Sequence, residues 1–208
     1  MDTIELPEPS TDGSTSIERA IATRASRRSF ADEPVSLDAV AQLLWGVQGL
    51  THERDGIDMR ATPSAGATYP LVADLEVADG GCTELDVGLY RYDPNRHVLK
   101  RRLDTPVQDE LTAAAGDQPV VADAPAVIAL SADYGRTTGR YPDHGERYVH
   151  MEAGHAAQNV HLLCEAQGLN SCPVGAFDDE ALADALALQA AFEPLYLVAF
   201  GRRPSDSE

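Results

Sequence analysis

The sequence predicts an α+β fold with a central mixed or antiparallel sheet flanked by helices. The chain has 208 residues, enough to bury a core as one domain without disulfide or metal support. Helical and strand patterns are mixed along it, with no internal repeat and no long linker. We therefore expect one domain over residues 16–208. Residues 1–15 are acidic and rich in Pro, Ser and Thr, so we expect a flexible arm rather than a signal peptide.

Two helices are predicted near the N-terminus. The first runs from about Ser16 to Thr23, with Ser16 as its N-cap. The second follows Pro34 and is capped by Ser36, and its apolar residues fall on one helical face. These residues are Leu37, Val40, Leu43, Leu44 and Val47.

Strands and turns dominate the middle of the chain. Residues 71–78 alternate apolar and polar side chains, as a half-buried strand does. Residues 88–99 predict a hairpin around an Asp-Pro-Asn turn, and residues 126–130 and 194–200 predict buried strands. A short helix is expected to open at Thr105-Pro106, because proline suits the first helical position.

The longest predicted helix covers about residues 148–167, with Gly168 as its terminator. A further helix with an acidic first turn is expected over residues 178–187. The inner face of the long helix has several small side chains, which would let a neighbouring element approach closely. It carries Ala153, Ala156, Ala157, Val160 and Leu163.

The charge balance excludes several classes of function. The net charge is −18, from 34 acidic and 16 basic residues, and Lys100 is the only lysine. Such a field repels nucleic-acid backbones, and no apolar run is long enough to span a membrane. The acidic, lysine-poor composition resembles that of proteins from salt-loving organisms. Three irregularly spaced cysteines suit a reducing cytoplasm, where we expect the protein to reside.

Clustered arginines stand out against this background. The segment Arg24-Ala-Ser26-Arg-Arg28 offers guanidinium groups and hydroxyls that could bind a phosphate. A basic helix end that complements its own dipole is the alternative, and the scarcity of positive charge elsewhere favours the anion site. Arg202 and Arg203 could complete a phosphate clamp, or could simply terminate an edge strand.

Two small-residue loops are further candidates. The loop from Pro63 to Pro70 could lie against a flat ligand, although taken alone its residues favour an ordinary turn. Gly175 and Ala176 precede a predicted helix, and their N–H groups could face a cofactor. The histidines lack the spacing of a metal site, and no Cys-x-x-Cys pair is present, so no metal is expected. Dinucleotide, P-loop and hydrolase signatures are also absent from the sequence.

Taken together, these motifs resemble the nitroreductase family, and more closely its SagB-type dehydrogenase branch. The likeness covers about residues 17–204. It is carried by segments whose order and spacing are specific together: Arg24 to Phe30, Leu43-Leu44-Trp45 with Gln48-Gly49, Pro63 to Pro70, Arg147-Tyr148 with Glu152 to Asn159, and Pro173 to Asp178.

The resemblance implies an FMN-binding homodimer with active sites at the subunit interface, acting on a small-molecule substrate. By this likeness Arg24 and Ser26 bind the FMN phosphate together with Arg202 or Arg203. Arg28 lies near N1/O2 of the flavin ring. Pro63, Ser64 and Gly66 contact the flavin from either subunit, and the N–H groups of Gly175 and Ala176 face its N5/O4 edge.

One departure from the SagB branch concerns proton transfer. The branch has a Lys-Tyr pair, and this chain has Arg140-Tyr141 in the corresponding place. Arginine keeps its proton and is a poor general base, so Tyr141 is the remaining proton donor. Three functions follow, in this order: reduction of a nitro-aromatic, quinone or similar acceptor by NADH or NADPH, oxidation of azolines in a peptide, and flavin binding without turnover.

Overall fold

The computed structural model describes residues 2–205. Its main feature is a seven-stranded sheet in the order β1-β6-β5-β4-β7-β9-β8, in which every neighbouring pair is antiparallel. A separate hairpin pairs β2 with β3. The strands are β1 (Thr3–Glu5), β2 (Leu50–Arg54), β3 (Ile57–Arg60), β4 (Leu71–Val77), β5 (Gly88–Asp93), β6 (Val98–Leu103), β7 (Ala126–Ala132), β8 (Leu169–Val174) and β9 (Glu193–Arg202).

Helices cover both faces of the sheet. They are α1 (Ile17–Thr23), α2 (Leu37–Gln48), α3 (Gln108–Ala114), α4 (Pro119–Ala122), α5 (Tyr134–Thr138), α6 (Gly145–Ala166) and α7 (Asp179–Ala185). On one face, α2 and α6 pack over the larger apolar core, and on the other α3, α4 and α7 enclose a second cluster. The predicted α+β class with an antiparallel central sheet is therefore confirmed.

Local sequence signals explain where the helices begin. Ser16 accepts a hydrogen bond from the N–H of Arg19, and Ser36 accepts one from Ala39, so both predicted N-caps are confirmed. Asp178 caps α7 in the same way, one residue before the helix begins. The long helix α6 begins three residues earlier than expected, and α3 begins at Gln108 rather than at the Thr105-Pro106 pair.

The flexible arm expected over residues 1–15 is in part bound to the rest of the domain. Residues 3–5 pair with β6, and Leu6 is buried in the core. Beyond the strand, His97 Nε2 lies 2.9 Å from the carbonyl oxygen of Pro7, and Ser10 exchanges hydrogen bonds with Gln42. The arm docks because its short apolar segment completes the edge of the sheet. Met1 lies outside the described residues.

Strand β4 also differs from expectation, because both of its faces are buried. Asp74 points into the second apolar layer, where Arg91 binds it through two donors at 2.6 and 2.7 Å and Arg102 adds a third at 3.2 Å. Paired arginines thus allow a carboxylate to occupy a position that the alternating pattern assigned to solvent.

Candidate functional site

The segment from Arg24 to Phe30, called the arginine loop below, follows α1. It is fixed against the start of β8 and the end of β9. Ser26 forms a parallel bridge with Ser171, and the N–H of Arg27 donates to the Ser171 carbonyl at 3.0 Å. Further along, Asn170 Nδ2 donates to the carbonyl of Ser29 at 2.8 Å, and the N–H of Ala31 donates to the carbonyl of Arg202 at 2.9 Å. The loop backbone therefore holds its side chains at a defined edge of the sheet.

Two arginines at this edge share one carboxylate. Arg27 Nη1 donates to Glu165 Oε2 at 2.6 Å, and Arg203 Nη2 donates to the same oxygen at 3.1 Å. Burial acts to raise the pKa of Glu165, but hydrogen bonds from Thr23 and Arg27 and the charges of both arginines outweigh it, so the pKa is lowered. The carboxylate is thus held ionised between two cations.

The remaining side chains of the loop have the donor set of a phosphate site. Within residues 2–205, no carboxylate lies within ion-pairing distance of Arg24 or Arg28, and Arg28 donates weakly to the Ser26 carbonyl at 3.4 Å. Ser26 and Arg28 are exposed and Arg24 is half-buried. Guanidinium forks beside a hydroxyl match the acceptors of a phosphate, so these residues fit the end of a mononucleotide.

A buried histidine lies under this cluster. His161 Nδ1 and Ser171 Oγ lie 2.9 Å apart, whereas Nε2 is buried without a partner among the described residues. Burial lowers the pKa of His161 to about 4, and the charges of Arg24 and Arg27 act in the same direction. The imidazole is therefore neutral at neutral pH and does not add to the positive charge of the loop.

The two C-terminal arginines point to different places, as expected for neighbours in a strand. Arg203 joins the loop, with Nε donating to Asn170 Oδ1 at 3.1 Å. Arg202 instead donates from Nε to the carbonyl of Pro34 at 3.0 Å and lies 3.8 Å from Glu33. The structure thus places Arg203, and not Arg202, beside Arg27.

The third candidate loop follows directly from β8. Gly175 and Ala176 are exposed, and neither N–H group has a backbone acceptor among the loop and turn contacts of residues 2–205. The carbonyl of Ala176 accepts from Gln118 Nε2 at 3.0 Å, which fixes the loop. Four residues of strand separate Ser171 from Gly175, or about 13 Å. The loop therefore lies on the same sheet edge as the arginine loop, at a distance.

The Pro63–Pro70 loop is strained and tightly bonded. Gly66, Ala67 and Tyr69 have positive φ values of 61°, 52° and 45°. Ser64 Oγ accepts from the N–H of Tyr69 at 2.9 Å, which closes the loop on itself. Non-glycine residues in this region are costly and are found preferentially at functional sites.

Tyr141 and Arg140 lie directly against that loop. Arg140 Nη1 donates to the carbonyl of Gly66 at 3.1 Å, and a Cβ atom added to Gly66 would lie 2.5 Å from the Tyr141 hydroxyl. Tyr141 is held edge-to-face against Tyr148, with ring centroids 5.3 Å apart. The predicted proton donor and the predicted flavin loop are thus brought together.

One chain does not bring all the predicted residues together. The Pro63 loop lies over α6 near Glu152, and Ser64 and Glu152 line one cavity of ≈ 260 Å³. The arginine loop meets α6 at Glu165, thirteen residues later. At 1.5 Å per residue, about 20 Å of helix separates the two groups.

A buried polar network behind the Pro63 loop contains residues that the sequence did not single out as a site. Gln48 Nε2 donates to Glu152 Oε1 at 3.3 Å, and Arg60 Nη1 donates to Gln48 Oε1 at 2.8 Å. Burial raises the pKa of Glu152 to about 7, against hydrogen bonds from Ser64 and Gln48 and the charge of Arg60. An acidic residue on the inner face of α6, between Val149 and Ala156, was the available signal.

Two further features are absent from the part of the chain that the structure describes. No helix there has the length and apolar content needed to cross a bilayer. Nor does this part of the chain hold a group of three or more His, Cys, Asp or Glu side chains arranged for a metal ion.

The fold and this site define an α+β protein whose sheet edge presents exposed or half-buried arginine and serine side chains. The sequence matches the Nitroreductase family over residues 21–202. A nitroreductase-like protein of Methanocaldococcus jannaschii is 39% identical over 202 residues, which are 97% of this chain and 98% of that protein. The chain therefore belongs to the nitroreductase family.

Solved structures share the whole fold. A nitroreductase-like protein of Ralstonia eutropha aligns with a TM-score of 0.82 and 29% identity, over 98% of this chain and 90% of that one. Two more distant structures show the fold alone. One is a nitroreductase-like protein of Desulfovibrio desulfuricans in complex with FMN, with a TM-score of 0.66, 23% identity and coverage of 93% and 90%. The other is an NADPH:FMN oxidoreductase of Vibrio harveyi with NAD+, with a TM-score of 0.64, 18% identity and coverage of 92% and 70%.

Proposed function

We propose that this protein binds FMN and uses NADH or NADPH to reduce a small electron acceptor such as a nitro-aromatic or a quinone. Membership of the nitroreductase family supports an oxidoreductase, and the FMN in the Desulfovibrio structure supports the cofactor. The Vibrio enzyme, named for NADPH and FMN, supports a nicotinamide donor. The observation that carries the proposal is the set of side-chain donors at the sheet edge, Arg24, Ser26 and Arg28, to which residues 2–205 offer no carboxylate partner.

The positively charged side chains of the arginine loop bind the phosphate end of FMN in this proposal. Arg24 and Ser26 bind the FMN phosphate, and Arg203, directly after β9, supports them because it lies beside Arg27. Glu165 holds Arg27 and Arg203 in place and offsets part of their charge. Arg202 is a weaker candidate for the phosphate, since its guanidinium contacts Pro34 and Glu33.

The side chain of Arg28 and two backbone N–H groups bind the ring end of FMN in this proposal. FMN, when bound, supplies the redox chemistry by accepting a hydride and passing electrons to the acceptor. Arg28 provides a positive charge for the N1/O2 side of the ring, where it favours the reduced, negatively charged form. The N–H groups of Gly175 and Ala176 donate toward the N5/O4 edge and orient the ring.

A homodimer completes the site in this proposal. About 20 Å of α6 lies between the arginine loop and the Pro63 loop, so Pro63, Ser64 and Gly66 reach the flavin from the partner subunit. Met151, beside that loop, is 51% exposed although it is a large apolar residue, as expected of a surface that a second subunit covers.

Oxidation of a peptide azoline is the second candidate function, of the kind associated with the SagB branch. It is favoured by the Tyr141 hydroxyl, which lies against Gly66 in the proposed flavin loop and can move a proton there. The Arg140 guanidinium donates to the Gly66 carbonyl, so its role is to position the loop rather than to accept a proton. Flavin binding without turnover is the remaining alternative.

Anaerobic mixing with the donor tests the proposal. The FMN-loaded protein is mixed with NADH or NADPH without oxygen, and flavin absorbance near ~450 nm is followed. Bleaching, with recovery on adding a quinone or nitro-aromatic, is the expected result. A flavin that stays oxidised with both donors contradicts the reductase and favours azoline oxidation or simple binding.

A further inference from the structure

A second basic pocket lies away from the arginine loop, on the side of Gln48 opposite Glu152. It has a volume of ≈ 260 Å³ and includes four of the sixteen basic residues of a chain whose net charge is −18. These four are Arg60, Arg91, Lys100 and Arg136. Such a concentration of cations in an acidic protein requires a local reason.

The carboxylates around this pocket do not balance it. Lys100 is paired with Asp93 at 2.7 Å, and Arg91 shares the buried Asp74 with Arg102, which lies behind the pocket. Arg136 lies 3.6 Å from Asp133, whose Oδ1 already caps α5. The four cations of the pocket thus face three carboxylates, one of which is shared with Arg102, and Glu152 beyond Gln48 is a group whose pKa is near 7.

Arg60 carries the excess charge, and Arg136, with its long contact to Asp133, lies near it. Among the described residues no carboxylate lies within ion-pairing distance of Arg60, which instead donates to Gln48 and stacks on Tyr69, 4.6 Å from the ring centroid. Burial lowers the pKa of the Arg60 guanidinium, and the nearby charge of Arg136 acts in the same direction. Two neighbouring guanidinium groups without a shared counter-ion are destabilising until an anion binds both.

Tyr69 orients both arginines and connects them to the proposed flavin loop. Its ring lies under Arg60, its carbonyl accepts from Arg136 Nη1 at 3.0 Å, and its N–H donates to Ser64 Oγ at 2.9 Å. Its φ of 45° is a strained conformation for a tyrosine. The strain is therefore stored at the residue of the flavin loop that contacts both arginines.

We propose that Arg60 and Arg136, with Lys100 and Arg91 at the rim, form a binding site for a phosphate-bearing anion. The ligand class follows from the donors, since guanidinium forks that converge from two elements suit the several oxygens of a phosphate. A free phosphate compound and the phosphate groups of the nicotinamide donor share this chemistry. The second source rests on the proposed function, because it places the donor next to the flavin loop.

Titration with inorganic pyrophosphate tests the site directly. The protein is first loaded with FMN so that the arginine loop is occupied, and ionic strength is held constant with chloride. We expect pyrophosphate to bind and to raise the melting temperature. Arg60→Gln and Arg136→Gln should each weaken binding about tenfold or more, whereas the exposed Arg54→Gln on the same hairpin should not. Equal binding by all four proteins, or no binding by any, overturns the proposal.

A donor comparison then distinguishes the two sources. If Arg60→Gln raises KM for NADPH, alone or together with KM for NADH, the phosphate belongs to the donor. If both values are unchanged while pyrophosphate binding is lost, the ligand is a separate phosphate compound. Arg24→Ala separates this inference from the proposed function, because it should lose FMN and keep the site at Arg60. The protein without FMN can then be titrated in the same way.

Discussion

Arg27 and Arg203 donate to the same oxygen of Glu165, at 2.6 and 3.1 Å, although they stand at opposite ends of the chain. The carboxylate lies in the last turns of the central helix α6 and fixes both arginines at one edge of the sheet. Because Glu165 offsets part of the charge of this pair, most of the positive charge available to a ligand comes from Arg24 and Arg28, which no described carboxylate approaches.

Arg24→Ala should give a folded protein that retains little FMN. A hydrogen bond to a charged group contributes about 1.5–3 kcal/mol, so we expect affinity to fall about 10- to 150-fold. The Kd is measured by quenching of flavin fluorescence. Arg19→Ala, which removes an exposed arginine from α1, is the control and should bind FMN normally. Equal FMN affinities for the two variants would show that Arg24 does not bind the phosphate.

Glu165→Gln should destabilise the protein near neutral pH, because it leaves two partly buried guanidinium groups without their carboxylate. The folded pKa of Glu165 is lowered, so its contribution to stability is present above the unfolded pKa of about 4.5 and is lost as pH falls through the folded value. Urea denaturation from pH 7 down to pH 3 measures this. The native protein and Glu165→Gln should converge in stability at the acid end, and a constant difference would refute the ion-pair account.

The contribution of Glu152 to the free energy of unfolding should depend on pH in the opposite direction to that of Glu165, and Glu152→Gln tests this. The pKa of Glu152 is raised to about 7 in the folded protein, so the native state holds an extra proton between about pH 4.5 and 7. Stability from this group is complete below about pH 4.5 and is lost as pH rises to about 7. We expect the variant to lose less stability than the native protein across this range, by about 2–4 kcal/mol. Glu76 has a pKa raised to about 8 by burial and contributes in the same direction in both proteins, so it cancels in the comparison.

Gly66→Ala tests the contact between the Pro63 loop and Tyr141. The change imposes a side chain at a φ of 61° and places Cβ 2.5 Å from the Tyr141 hydroxyl. Gly56→Ala is a matched control, because its φ is 76° and its Cβ would meet nothing within 4 Å. Strain alone costs about 1–2 kcal/mol at either position, and the contact should add to this cost at Gly66. Adding Tyr141→Phe should recover part of the difference, and no recovery would mean that the hydroxyl does not crowd the loop.

The sequence was most informative where local signals determine local structure. Ser16 and Ser36 correctly predicted where two helices begin. The helical spacing of apolar residues in α2 and α6 identified the faces that pack on the sheet. Strand β8 was missed because it is short, polar at Asn170 and Ser171, and interrupted by Pro173, which an edge strand tolerates. The residues around β8 also show no alternation of apolar and polar side chains that would have indicated a strand.

Contacts between distant residues were outside the reach of sequence patterns. The arginine loop was recognised, yet the pairing of Arg27 with Glu165 spans 138 positions, and that of Gln48 with Glu152 spans 104. Side-chain direction at the end of β9 likewise needed the register of the sheet to separate Arg202 from Arg203. The network around Arg60 and Tyr69 depends on a strained loop that no sequence period describes.

Binding stoichiometry tests the central claim most directly. Folded protein freed of any ligand is titrated with FMN, and bound flavin is measured by absorbance near ~450 nm after removal of the free cofactor. The account predicts saturable binding of one FMN per chain, weakened in Arg24→Ala and unchanged in Arg19→Ala. Folded protein that binds no FMN would contradict the assignment of the sheet edge as a flavin site, and with it the proposed reductase.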